Sequence, residues 1–193
     1  MRIYGDHGSG NCLKVKFTAD RLGLPYEWIA IDLMKGETRT QAFLARNPFG
    51  QIPVVEFSDG RNLAQSNAIV RHLARDSDLI PEDAFDRAKA DELLFWEQYS
   101  HEPYVAVARF QRVYLGKAAA EVDARLIERG DKALDTMERL LLGKRYFIGE
   151  RLSIADIVLL PYTRMAHEGG FDLASRTNLS AWIARCEGDL RLS

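Results

Sequence analysis

The sequence predicts a small α/β domain followed by an all-helical domain. Up to about residue 76, short apolar runs of period two alternate with helical patterning. Two of those runs are joined by Asp59-Gly60, a strong hairpin signal. Beyond a polar stretch that contains Pro81, no strand pattern recurs. The expected boundaries are a first domain over 1–76, a linker over 77–83 and a helical domain over 84–193.

Taken in order, Arg2-Ile3-Tyr4-Gly5 reads as a strand. Cys12 to Leu22 carries Val15, Ala19 and Leu22 on one helical side, and Gly23 ends it. Glu27 to Ile31 alternates as a strand, and Thr40 to Arg46 reads as a short helix stopped before Asn47-Pro48. Val54 to Phe57 and Asn62 to Ala64 form the hairpin, and Ser66 opens a helix through Ala74. The order is β-α-β-α-β-β-α. Its first βαβ unit implies a parallel strand pair, and the hairpin adds an antiparallel edge.

In the second half, Ala84 to Gly116 has helical propensity interrupted by Pro103, which clashes with the carbonyl of Tyr99 and kinks or divides the helix. Ala118 to Leu142 places Leu126, Leu134, Met137 and Leu141 at helical spacing, ended by Gly143. Ser153 fits an N-cap with Asp156 as the capping-box acid, and Leu152 and Ile157 hold the two staple positions. A last helix runs from about Thr177 to Cys186, leaving the short polar tail Glu187 to Ser193.

Composition narrows the function classes. Apolar residues make up 47% and charged residues 28%, an ordinary globular balance. A net charge of −2 implies neither nucleic acid nor an anionic membrane as partner. The longest apolar runs, such as Ile157-Val158-Leu159-Leu160, are far short of a membrane span. Met1-Arg2-Ile3-Tyr4 enters a strand at once, so no signal peptide is expected. The two cysteines, Cys12 and Cys186, lie far apart, and a reducing cytosol is the expected compartment. The four histidines form no ligand-spaced pair, so no metal site is expected.

The most informative stretch is Asn47-Pro48-Phe49-Gly50-Gln51-Ile52-Pro53-Val54-Val55. Proline cannot donate to a ladder, so Pro53 marks a strand's first residue or sits beside an unpaired edge. Ile52 before it is pushed toward extended geometry. Its N–H and C=O then face outward, and unpaired extended backbone is a docking edge for another peptide.

That stretch, together with Gln65-Ser66-Asn67-Ala68-Ile69 and Ser153-Ile154-Ala155-Asp156, resembles the cytosolic glutathione transferase family over almost the whole chain. Ser9-Gly10-Asn11-Cys12-Leu13-Lys14-Val15 and Lys35 to Thr40 further resemble bacterial members of theta-, beta- and nu-like type. The resemblance implies a thioredoxin-like first domain, a cis peptide before Pro53, a helical-bundle second domain, and a cytoplasmic homodimer with glutathione as co-substrate and no metal. It implies conjugation of the glutathione thiolate to small hydrophobic electrophiles, a detoxifying activity. Glutathione-dependent disulfide reduction or peroxidase activity of the nu-like kind is one alternative, and a non-catalytic protein-interaction module is another.

Such chemistry needs a lowered thiol pKa, because the thiolate is the nucleophile. The turn before the first helix offers free N–H groups and a positive dipole end. Ser9 is the first candidate for a hydrogen bond to the sulfur and Asn11 the second. Either residue alternatively caps the helix. Beta-type members use a cysteine in this turn, but Cys12 falls three residues after Ser9, at what would be the second cysteine of a C-x-x-C, and a lone thiol inside a helix is more often a small buried hydrophobe. Gln65 and Ser66 are expected at the γ-glutamyl end, with neutral Gln65 able to offer a hydrogen bond but no ion pair. Ile52 and Pro53 are expected along the cysteinyl backbone, and Lys35 and Gln51 at the glycyl end. His101, Tyr104 and Arg109 lie near the Pro103 kink and are the candidates for lining a second-substrate pocket.

Overall fold

The computed structural model describes residues 1–192, and its chain divides into two compact units, Met1–Ser77 and Asp78–Ser193. Ser193, the end of the expected tail and of the second domain, lies outside the described residues.

In the first unit, strands β1 (Arg2–Gly5), β2 (Glu27–Ala30), β3 (Val54–Glu56) and β4 (Asn62–Ala64) form one sheet in the order β2-β1-β3-β4. β1 pairs parallel with β2, Arg2 opposite Glu27, while β1–β3 and β3–β4 are antiparallel. Helices α1 (Gly10–Arg21), α2 (Gln41–Arg46) and α3 (Ser66–Ala74) connect them, with a 3₁₀ turn at Glu37–Arg39. Strand alternation divides the core. Tyr4 and Val54 pack with Phe43 of α2 and with Ile29, Ile31, Ile52 and Ala64. Ile3 and Val55, fully buried, point to the opposite face, where Val15, Ala19, Ile69 and Val70 of the mutually packed α1 and α3 are buried as well.

Two boundaries shift from expectation for local reasons. Helix α1 begins at Gly10 rather than Cys12, because Ser9 is its N-cap. Pro53 does not stand on an edge: β3 is an internal strand, and Pro53 immediately precedes it, so its missing N–H falls just outside the ladder. The Ile52–Pro53 peptide is cis.

Among its described residues the second unit holds helices and connecting turns and no strand. Asp83 caps α4 (Ala84–Trp96), its Oδ1 accepting from Phe85 N at 2.8 Å and Asp86 N at 3.0 Å. A π-helical segment over Glu97–His101 then leads into α5 (Glu102–Val113), with Pro103 in the first turn. The Glu102 N–H donates to Glu97 O, the wider i→i+5 bond, which makes room for the proline ring without ending the helical path. The residues before α6 (Ala124–Leu140) form a 3₁₀ turn at Ala119–Glu121, and Asp123 caps α6. Helix α6 therefore starts later than the pattern from Ala118 suggests. Helix α7 (Ile154–Arg164) is buried along nearly its whole length. A short α8 (Ala166–Gly169), which the pattern does not show, precedes α9 (Thr177–Leu190).

The start of α7 is held by one buried carboxylate. Asp156 Oδ2 accepts from Ser153 N and Ser153 Oγ, both at 2.9 Å; Oδ1 accepts from Phe147 N at 3.0 Å and Trp182 Nε1 at 2.9 Å. Helix α9 has no capping side chain at its own N-terminus. Glu138 of α6 serves instead, accepting from Asn178 N at 3.0 Å and Leu179 N at 2.7 Å. At the other end α9 runs past Cys186, because Glu187 pairs with Arg164 at 2.7 Å and Asp189 accepts from Tyr146 Oη at 2.5 Å. The polar residues 187–190 are thus a helical turn rather than a tail.

Candidate functional site

Four of the residues named in the first unit are joined by hydrogen bonds at or near two helix starts, Asn11 with Ser66 and Gln51 with Gln65. Ser9 adopts extended geometry (φ −85°, ψ 118°), and its side chain makes no capping bond. Asn11, in the first turn of α1, accepts at Oδ1 from Lys14 Nζ at 2.8 Å and from Ser66 Oγ at 3.1 Å. The second bond joins the start of α1 to the start of α3 across 55 residues of sequence. Ser66 does not act as an ordinary cap, since it is the first helical residue and its hydroxyl is spent on Asn11. The N-cap is Gln65, held at φ 69° and ψ 109°, a backbone conformation a residue with a side chain rarely adopts. Its Nε2 donates to Gln51 Oε1 at 3.5 Å, drawing the Gln51 loop to the same place.

That loop is shaped by Asn47, which is 1% exposed. Its Nδ2 donates to Gln51 O at 2.7 Å, and its Oδ1 accepts from Phe49 N at 3.1 Å. Gly50 has φ 61°, a conformation that calls for glycine, and a Cβ there would also come within 3.2 Å of Thr38 O. Among the described residues no backbone–backbone hydrogen bond reaches Ile52.

Cys12 is fully buried. Burial pushes its thiol up to about 12, outweighing the Ser9 hydroxyl and the Asp6 backbone, which pull it down. A thiol held neutral in this way behaves as a small core residue. Lys35, the other candidate for the glycyl end, is exposed. Its exposed ammonium pairs with Asp32 Oδ2 at 3.0 Å, and that hydrogen bond holds the Asp32 carboxyl below its ordinary range.

In the second unit the three pocket candidates have other commitments. His101 is 0% exposed, with Nε2 against Thr163 Oγ1 at 3.0 Å. Arg109 is 6% exposed, and both its Nε and Nη2 meet Glu168 Oε2 at 2.7 Å. Both side chains are enclosed, and each is committed to a partner within the helical unit. Tyr104 is half-buried; its hydroxyl accepts from Arg129 Nη1 at 2.7 Å.

The residue the sequence reading passes over is Lys14. Its side chain is fully buried although lysine is ordinarily a surface residue. The only signal for it is position, one residue before Val15 and four before Thr18 on the inner side of α1. Among the described residues no cluster of His, Cys, Asp or Glu has metal-binding geometry, and no helix is long and apolar enough to cross a membrane.

Two family profiles match the chain: "Glutathione S-transferase, N-terminal domain" over residues 8–76 and "Glutathione S-transferase, C-terminal domain" over residues 119–185. The chain is 30% identical to glutathione S-transferase PM239X14 of Arabidopsis thaliana, over 95% of this chain and 90% of that protein. It is 29% identical to glutathione S-transferase theta-3 of Mus musculus, over 98% of this chain and 83% of that protein. Among solved structures, a glutathione S-transferase from Pseudomonas fluorescens Pf-5 superposes with a TM-score of 0.93 at 49% identity, covering 96% of this chain and 94% of that one.

Proposed function

The chain belongs to the glutathione S-transferase family, and from that premise we propose that it binds glutathione on its first unit and conjugates the thiolate to small hydrophobic electrophiles. The observation that carries this reading is the Ser66–Asn11 hydrogen bond, which ties the two helix starts into one site. The N-terminus of α3, with Gln65 and Ser66, receives the γ-glutamyl carboxylate on its N–H groups. The Ile52 N–H and C=O pair with the cysteinyl backbone, and Gln51 lies toward the glycyl end. The sulfur rests at the N-terminus of α1 beside Ser9 and Asn11.

The energetics are sufficient. A free thiol titrates near ~8.5, and lowering that by about two units takes roughly 3 kcal/mol. One hydrogen bond to a charged acceptor contributes about 1.5–3 kcal/mol, and a helix N-terminus about 0.3–1 kcal/mol more. The thiolate then attacks the electrophilic carbon, the carbon–sulfur bond forms, and the leaving group departs with its electron pair. The active form is proposed to be a cytoplasmic homodimer, after the family.

Disulfide reduction is the second reading, favoured by the central place of Asn11 in the network. It uses two glutathione thiolates in turn and no protein thiol, in keeping with the enclosed Cys12. Three measurements separate the readings. Retention on immobilised glutathione is expected for either enzyme, and failure to bind favours an interaction module. Conjugation of a chloronitrobenzene with negligible disulfide reduction supports transfer, and the reverse supports reduction. Ser9→Ala is expected to raise the pKa of bound glutathione by about 1–2 units; an unchanged thiolate titration removes Ser9 from the mechanism.

A further inference from the structure

His7 and Trp28 form a stacked pair just before the start of α1, with ring centroids 4.3 Å apart and planes 14° from parallel. The strand register explains how the pair arises. Trp28 stands opposite Ile3 in the parallel β1–β2 pair, so its side chain leaves the sheet on the face where α1 and α3 pack. Gly5, two residues on from Ile3, offers no side chain on that face. The tip of the indole takes the space instead: a Cβ on Gly5 would meet Trp28 Cη2 at 3.1 Å and Cys12 Sγ at 3.0 Å. The ring thus reaches the C-terminal end of β1, and its flat face is a platform there. Its Nε1–H is buried with no hydrogen-bond partner among the described residues, whereas a buried indole ordinarily finds one. Hydrogen bonding therefore does not account for the placement of Trp28, and the stacked face does.

His7 occupies the tip of a β-turn, Asp6 to Ser9, in which the Ser9 N–H donates to Asp6 O at 3.0 Å and the Gly8 N–H donates to Asp6 Oδ1 at 2.8 Å. The Ser9 carbonyl in turn accepts from Cys12 N at 3.0 Å and Leu13 N at 2.9 Å, so the turn runs straight into α1. His7 is exposed, yet its ring lies flat on Trp28 instead of extending into water. A turn pinned at its tip does not rock, and Ser9 at its end stays in place. We infer that His7 and Trp28 are positioning residues, whose stack holds the Asp6–Ser9 turn so that the Ser9 hydroxyl meets the glutathione sulfur. This inference rests on the reading of the site as a glutathione site and gives a role to two residues outside the proposed glutathione contacts. A misplacement of about 1 Å can lower a rate about a hundredfold, so the hold on the turn's tip matters two residues away.

The test is a double-mutant cycle of His7→Ala and Ser9→Ala, read by thiolate absorbance titration of the glutathione complex. An aromatic pair shifts an equilibrium by up to about tenfold. His7→Ala should therefore raise the thiol pKa by about half a unit to one unit, lowering kcat about three- to tenfold below that pKa. His7→Phe restores a ring without an ionisable group and should bring the midpoint back to within about 0.2 of wild type. Affinity for S-methylglutathione, which has no ionisable thiol, should stay within about threefold, because the proposed contacts at Ile52, Gln65 and Ser66 remain. In the Ser9→Ala background His7→Ala should change the pKa no further. An equal rise in that background overturns the inference, because His7 would then act on the sulfur without Ser9. A His7→Ala titration identical to wild type overturns it too. So does a His7→Phe titration that matches alanine, since the imidazole itself and not the stack would then be at work. A wild type that neither binds glutathione nor lowers its thiol pKa overturns the site reading itself. If His7→Ala does not fold, by circular dichroism, Trp28→Leu replaces it in the cycle, with the same rise expected and no rise overturning the inference. Should neither fold, proton NMR of the wild-type complex decides: the His7 ring protons should lie upfield in the indole ring current, and ring protons at ordinary positions overturn the inference.

Discussion

Replacing Asp156 with alanine should destabilise the helical unit by at least about 3 kcal/mol. The carboxylate meets four donors. Of these, the Ser153 hydroxyl can turn to another acceptor, but the N–H groups of Phe147, Ser153 and Trp182 cannot. The three residues are buried, Trp182 fully and the other two to within 5%, so water reaches them poorly. Each stranded donor costs about 1–3 kcal/mol, which sets the floor at roughly 3 kcal/mol before any cavity term. Asp156→Asn is the graded control. Its amide oxygen can keep Phe147 and Trp182, while its nitrogen faces the Ser153 N–H, so about half of the loss is expected. The assay is urea unfolding followed by far-ultraviolet circular dichroism and tryptophan fluorescence, with the midpoint shift read at constant m-value. A loss below about 1 kcal/mol for alanine, or an asparagine variant worse than alanine, would refute the view that these four bonds anchor α7.

Other outcomes follow from single positions. Native Cys12 should resist iodoacetamide at pH 8 and react only on unfolding, because a thiol pushed up to about 12 is protonated throughout that range; Cys12→Ala should leave the bound glutathione titration where it was. Gln65→Gly should relieve a strain of about 1–3 kcal/mol at φ 69° and, after the extra entropy of glycine, raise the unfolding midpoint while weakening glutathione binding measured by calorimetry. Gly130→Ala would set a Cβ 2.4 Å from the Phe171 ring, and the overpacking should cost about 1–3 kcal/mol in the same urea assay.

The order β-α-β-α-β-β-α and the helical second half were legible because periodicity and breakers act locally. Thr40, Asp59-Gly60 and the Ser153–Asp156 pair each do what their neighbours along the chain dictate. What escaped detection depends on partners far away in sequence. Helix α9 starts without a cap of its own because Glu138 reaches over from α6, and it outlasts Cys186 because Tyr146 and Arg164 hold its last turn. The π segment is the structural answer to Pro103, and nothing local in Glu97–His101 announces it. Asn11, Gln51, Gln65 and Ser66, which the structure links by hydrogen bonds, could be named from motif positions. Lys14 could not, since a lysine in a helix reads as a surface residue until burial shows otherwise. The burial of His101 and Arg109 was hidden for the same reason: polar residues near a kink read as exposed until Thr163 and Glu168 are seen to hold them.

The central claim is that the paired helix starts bind glutathione and ionise its thiol. Thiolate absorbance of the wild-type complex, titrated across pH against free glutathione, tests it most directly. A midpoint about two units below the ~8.5 of an ordinary free thiol is the predicted result. A bound thiol that titrates with the free one, or no bound glutathione at all, would contradict it.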